Sequence, residues 1–146
     1  MSPEDREREF LDDLKEKIKI LSAKKRRIYF RVEPENIVEV AGYLFEKGLR
    51  LSTISALENY EGFELVYHFS DDGTGKYYCP KVFVPIDDPK VPTIANIIAG
   101  AKWIEREIGE LFGLTFVKHP SPKPLLLEDN PEIPKTPLRV KRREHE

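Results

Sequence analysis

Between Lys102 and Glu110 the chain gathers Lys102, Glu105, Arg106, Glu107 and Glu110 around its one tryptophan, Trp103, and His119 follows soon after. Carboxylates near an imidazole are the side chains of general acid–base catalysis, so Glu105, Glu107 and His119 are one candidate chemical group. A plainer reading is a charged, solvated helix face, because Arg106 and Glu110 are i,i+4 neighbours. A docking surface is the third reading. Trp103 sits beside several charges on one short helix, and Trp and Arg are over-represented where interfaces concentrate their binding energy.

Other chemistry finds less support. His68, His119, His145 and Cys79 are the only imidazole or thiol groups, and none stands at the close spacing of a zinc or iron–sulfur site. Cys79 lies among Tyr77, Tyr78 and Pro80 in a strand and reads as a packed, inert thiol. There is no Gly-x-Ser-x-Gly elbow. Gly73-Thr74-Gly75 lies between two strands and leads into no helix, so it reads as a hairpin turn rather than a phosphate cradle.

The bulk properties narrow the class. A chain of 146 residues is the size of one domain and buries enough surface to fold without a staple. A formal charge of −2 gives no reason to expect nucleic-acid binding. No apolar run reaches the length of a membrane span, the charged start is unlike a signal peptide, and a lone cysteine forms no internal disulfide, so a soluble intracellular protein is expected. Glutamine is absent and mixed charges are dense, which suits a heat-tolerant protein.

Periodicity and breaker residues set the elements around the charged stretch. Phe10, Leu11, Leu14, Ile18 and Leu21 recur at helical steps, predicting a helix from Pro3 to Leu21 behind a Ser2 cap. Arg27–Val32 alternates as a strand. Glu33-Pro34-Glu35 opens a second helix with Ile37, Ala41, Leu44 and Phe45 on one side, stopped by Gly48. Leu49–Leu57, Phe63–Phe69 and Lys76–Val84 read as antiparallel strands, with Pro80 placing the last at an edge or a bulge. A short helix is predicted over Thr93–Ala99. Another follows over Ala101–Phe112, with Ile104, Ile108 and Leu111 inward and Gly113 closing it. The fold class is α+β: a small, antiparallel-rich sheet with helices on one face, residues 1–116, and an extended proline-rich tail, residues 117–146. Six of the twelve prolines fall in that tail, punctuated by Leu125, Leu126, Leu127, Ile133, Leu138 and Val140, a pattern suited to lying along another subunit.

The stretch from Ala101 to Leu114, with Phe116, His119 and Pro120, resembles a specific family. It is similar to the 30-kDa subunit of respiratory complex I, the NADH–quinone oxidoreductase. That signature runs Glu-Arg-Glu, two residues, an acid, two apolar residues, and six more to a histidine. Here these are Glu105-Arg106-Glu107, Glu110, Leu111-Phe112 and His119, and Lys123 with Leu125-Leu126 completes the match. Glu110 stands where the family often has Asp, and Lys118 where it often has Gly. The resemblance covers about residues 26 to 140. Its shortness and altered ending, Pro137-Leu138-Arg139-Val140, lean toward complex I relatives in archaea. These include energy-converting nickel–iron hydrogenases, sulfur-reducing complexes, and quinone or F(420) oxidoreductases.

The resemblance implies a non-catalytic subunit of the peripheral arm, on the cytoplasmic side of the membrane and attached to it only through partners. It implies no cofactor on this chain, with iron–sulfur clusters and a nickel–iron or quinone site held by partner subunits. Those partners would be a catalytic large subunit and an iron–sulfur small subunit. The residues expected to grip them are Trp103, Glu105, Arg106, Glu107, Glu110, Phe112, His119, Pro120, Lys123 and Arg139.

Overall fold

Residues 2–120 are described by the structure, a computed structural model. Helix α1 (Pro3–Leu14) starts at Ser2, whose hydroxyl accepts the Asp5 N–H at 3.1 Å, with Pro3 in the first turn where no N–H is needed. It stops well before Leu21. The Lys17 N–H turns back to the Leu14 carbonyl at 2.8 Å, and Ile18–Ala23 becomes strand β1. Ile18 and Ile20 alternate opposite Val32 and Phe30, so β pairing overrides a helical spacing that was fortuitous.

Strand β2 (Arg27–Val32) leads through one 3-10 turn at Pro34–Asn36 into helix α2 (Ile37–Glu46). The helix buries Ile37, Val40, Ala41 and Leu44. Phe45 does not join them and stays 45% exposed, because one further residue turns the side chain about 100° around the axis. Strands β3 (Arg50–Glu58), β4 (Gly62–Asp71) and β5 (Lys76–Pro85) follow. Asn59 makes the β3–β4 turn, its side-chain oxygen accepting the Glu61 and Gly62 N–H groups.

The sheet order is β1-β2-β5-β4-β3, with β5 parallel to β2 and antiparallel to β4. The strand carrying Pro80 is therefore central, not an edge. Nor is it bulged: Val66 opposite Lys81 and Phe69 opposite Tyr78 hold one register on both sides of the proline. One missing N–H is offset by burial of Tyr78, Val82 and Val84 along the same strand.

Ile28, Phe30, Val32, Leu65, Tyr67 and Phe69 share the inner face of the sheet. Phe10 of α1 meets Tyr78 edge-on with ring centres 5.2 Å apart. After β6 (Lys90–Pro92), residues 93–99 make turns rather than the expected helix: the Ile97 and Ile98 N–H groups reach the Ile94 carbonyl at 3.1 and 2.8 Å, but that single turn is not propagated. Helix α3 (Ala101–Phe112) and strand β7 (Thr115–Val117) follow, β7 running parallel to β6 with Thr115, Phe116 and Val117 opposite Lys90, Val91 and Pro92. Phe63 and Phe112 have ring centres 6.1 Å apart, which sets α3 on the same side as α1. The expected tail contacts at Lys123 and Arg139 lie outside the described residues.

Candidate functional site

Helix α3 begins after Gly100 and ends at Gly113, whose left-handed backbone (φ 75°) sends its N–H to the Gly109 carbonyl at 2.9 Å. Its fully buried stripe is Ala101, Glu105 and Ile108, spaced i, i+4 and i+7. Ile104 only half-joins the core, and Leu111 lies off the stripe rather than on it. The expected inward face is thus rotated by about one residue, which puts a carboxylate inside.

Glu105 is 0% exposed. One carboxyl oxygen accepts the Thr93 hydroxyl, and the other accepts the Ile94 N–H at 3.0 Å. Thr93 in turn accepts the Ala95 N–H at 3.0 Å. Burial pushes the Glu105 carboxyl up to about 7, against the downward pull of the Thr93 and Ile94 hydrogen bonds. The hydroxyl of Tyr67, from β4, is buried without a hydrogen-bond partner among the described residues. Its ionisation is raised by burial and then by the Glu105 charge.

His119 closes the group. Lys118 takes a left-handed backbone (φ 66°), and its carbonyl accepts the Asn96 side-chain amide at 3.1 Å. That reversal turns the His119 ring back onto α3, where Nε2 lies 2.9 Å from the Lys102 carbonyl and 3.7 Å from Glu105 Oε1. A carbonyl only accepts, so Nε2 carries the proton and donates it.

The candidate residues therefore separate. Glu105 and His119 come together inside the protein. Glu107 is exposed and does not join them, so the acid–base group is split. Trp103 is 55% exposed, with Lys102 Nζ 5.4 Å and Arg106 Cζ 5.2 Å from its ring centre. Arg106, Glu110 and Phe112 are half-buried, and Pro120 is exposed. Glu110 keeps one carboxyl oxygen shielded from solvent without a hydrogen-bond partner among the described residues. His68 and Cys79, far from α3, meet through Nδ1 and Sγ at 3.8 Å, and Ser55 Oγ lies 3.0 Å from His68 Nε2. Burial raises the Cys79 thiol, which opposes nucleophilic use.

Sequence reading missed Thr93, the Ile94 N–H and Tyr67. A signal was present: Glu105 interrupts the Ala101–Ile108 stripe, and an acid there needs donors from elsewhere in the fold.

The family described as "Respiratory-chain NADH dehydrogenase, 30 Kd subunit" matches residues 30–144, most of the chain, with the whole Glu105–His119 group inside the match. The chain belongs to this family. Within it, the matching subunit of the F(420)H(2) dehydrogenase of Methanosarcina mazei is 32% identical over 110 residues, covering 71% of this chain and 68% of that protein. NADH-quinone oxidoreductase subunit 5 of Thermus thermophilus is 34% identical over 77 residues, 49% of this chain and only 37% of its own length. The fold is shared with a chain of the membrane-bound sulfane sulfur reductase, an archaeal respiratory membrane complex. That likeness has a TM-score of 0.81 at 24% identity and covers 93% of this chain and 82% of that one. Members of the 30-kDa family are subunits of complex I-related respiratory complexes. Among the described residues no helix is long and apolar enough to cross a membrane.

Proposed function

We propose that this chain is a non-catalytic structural subunit in the peripheral, cytoplasmic arm of a membrane-bound, ion-translocating redox complex. It braces a catalytic large subunit against an iron–sulfur small subunit and binds no cofactor itself. An energy-converting nickel–iron hydrogenase or a sulfur reductase is the favoured setting, and an NADH– or F(420)-linked quinone oxidoreductase the next.

One observation carries this reading. The two family-signature residues best suited to proton chemistry, Glu105 and His119, are spent on internal hydrogen bonds and sealed from solvent. A carboxylate wholly inside the core has no route to a substrate. What α3 presents outward is Trp103 with two cations beside it, and Glu107. An aromatic anchor ringed by charge is the composition of an interface centre. Bracing matters because redox centres and proton paths keep their geometry only on rigid supports.

The test is affinity purification of the full-length chain from native membranes with mass spectrometry of what accompanies it. Recovery of an iron–sulfur small subunit and a catalytic large subunit supports the proposal. Recovery of a soluble monomer, or of a metal or flavin bound to the chain alone, overturns it.

A further inference from the structure

The helices occupy one side of the sheet, and its other side carries its own pattern. Register sets Arg27, Tyr29 and Arg31 of β2 beside Tyr77, Cys79 and Lys81 of β5, and Lys19 of β1 beside Arg31. The Arg27 guanidinium carbon lies 4.3 Å from the Tyr77 ring centre, and Lys81 Nζ lies 5.0 Å from that of Tyr29. The Arg27 guanidinium is held in place by the ring and by the neighbouring Cys79 thiol, and its other N–H donors remain for a carboxylate.

Against Lys19, Arg27, Arg31 and Lys81 the face sets Glu64, 3.3 Å from Lys81, and Glu61 lines its edge beside Arg31. Glu33 reaches Arg31 from the rim at 3.8 Å, where the arginine side chain is 52% exposed. Four cations thus meet three carboxylates here, whereas acids outnumber bases by two in the chain as a whole. Beside it opens a depression of about 290 Å³ lined by Leu21, Arg31, Glu61, Glu64, Lys81 and Phe83. No described element covers this side.

We infer that the outer sheet face, centred on Arg27, Tyr29, Arg31 and Lys81, docks an Asp/Glu-rich segment of a neighbouring protein subunit. This inference rests on the proposed role as a subunit and adds a second contact surface to it, opposite the helical layer. Cations that outnumber carboxylates on the face complement an acidic partner, while Tyr29, Tyr77 and Phe83 supply apolar anchors. A nucleic acid fits less well, because carboxylates interrupt the cations and leave no continuous basic stripe to follow a phosphate backbone.

The experiment uses the full-length chain in its native host. Lys19 is replaced by a photo-cross-linking residue, membranes are irradiated, and cross-linked peptides are identified by mass spectrometry. In parallel, Arg27→Glu/Arg31→Glu is compared with wild type for recovery of the complex. The expected results are a cross-link into an Asp/Glu-rich segment of another subunit and about a tenfold loss of recovered complex in the charge-reversed variant. If wild type assembles but Lys19 cross-links only to residues 121–146, to nucleic acid, to lipid or to nothing, the inference is overturned and the subunit role stands. If wild type recovers no subunit at all, both fall. The cross-link arm decides the question even if the double variant fails to fold.

Discussion

Glu105 Oε1 and His119 Nε2 lie 3.7 Å apart inside the protein, with side chains 0% and 3% exposed. The pair joins a helix to the segment leaving β7, and the Lys102 carbonyl and the Thr93–Ile94 turn complete the link. Separate pieces of chain are thus tied through one carboxyl group. The consequence is a site whose energetics depend on whether that carboxyl is charged.

Glu105 in the folded protein holds its proton up to about pH 7, far above the ordinary carboxyl range, because burial penalises the anion. The folded state therefore binds more protons than the unfolded state between those two values, and stability falls as pH rises across that window. The loss is on the order of 3 kcal/mol and levels off above about pH 7. Glu105→Gln keeps an acceptor for the Ile94 N–H but has no charge to bury. It is expected to melt at the same temperature as wild type near pH 4.5 and several degrees higher at pH 8, as thermal scans across pH would read. A wild-type melting temperature flat over that range would refute the burial argument.

His119→Ala removes the Nε2–H donor and leaves a void beside α3. The expected destabilisation is about 2 kcal/mol in urea unfolding. In a double-mutant cycle with Glu105→Gln, the two residues should couple by roughly 0.5–1 kcal/mol, since they are in contact within one network. Strict additivity would mean that the 3.7 Å approach is incidental.

Lys118 sits at φ 66°, where a Cβ is unfavourable. Lys118→Gly relieves about 1–2 kcal/mol of backbone strain and returns part of that through unfolded-state entropy. A net gain of roughly 0.5–1 kcal/mol is expected, while Lys118→Val should lose stability. Chemical denaturation of the three proteins orders them directly.

Much of this architecture was legible in residue types and spacing. Alternation marked β2 and β4, a proline after a strand marked the start of α2, and Gly113 marked the end of α3. The failures share a cause: tertiary pairing overrode a local signal. Leu14, Ile18 and Leu21 fit a helix until β2 offered Ile18 a strand partner. Pro80 argued for an edge until a parallel neighbour enclosed it. The site was half legible. Glu105 and His119 were picked out by type and by resemblance, but they were assigned to the surface. Their burial depends on Thr93 and Ile94, whose role as donors no spacing rule shows.

Trp103 separates the two duties of α3 most cleanly. Its indole is 55% exposed, with Lys102 and Arg106 beside the ring, whereas Ala101, Glu105 and Ile108 hold the helix to the core. Trp103→Ala should therefore change the stability of the isolated chain by less than about 0.5 kcal/mol, as is usual for surface positions. As an interface anchor its loss should weaken assembly by roughly 2 kcal/mol or more, about a thirtyfold fall in partner affinity. Glu105→Gln is expected to do the reverse, shifting stability with pH while leaving the outward face intact. Measuring both variants by unfolding and by co-purification checks the division. A Trp103→Ala chain that unfolds early, or that assembles at the wild-type yield, would show that the exposed indole is not an anchor.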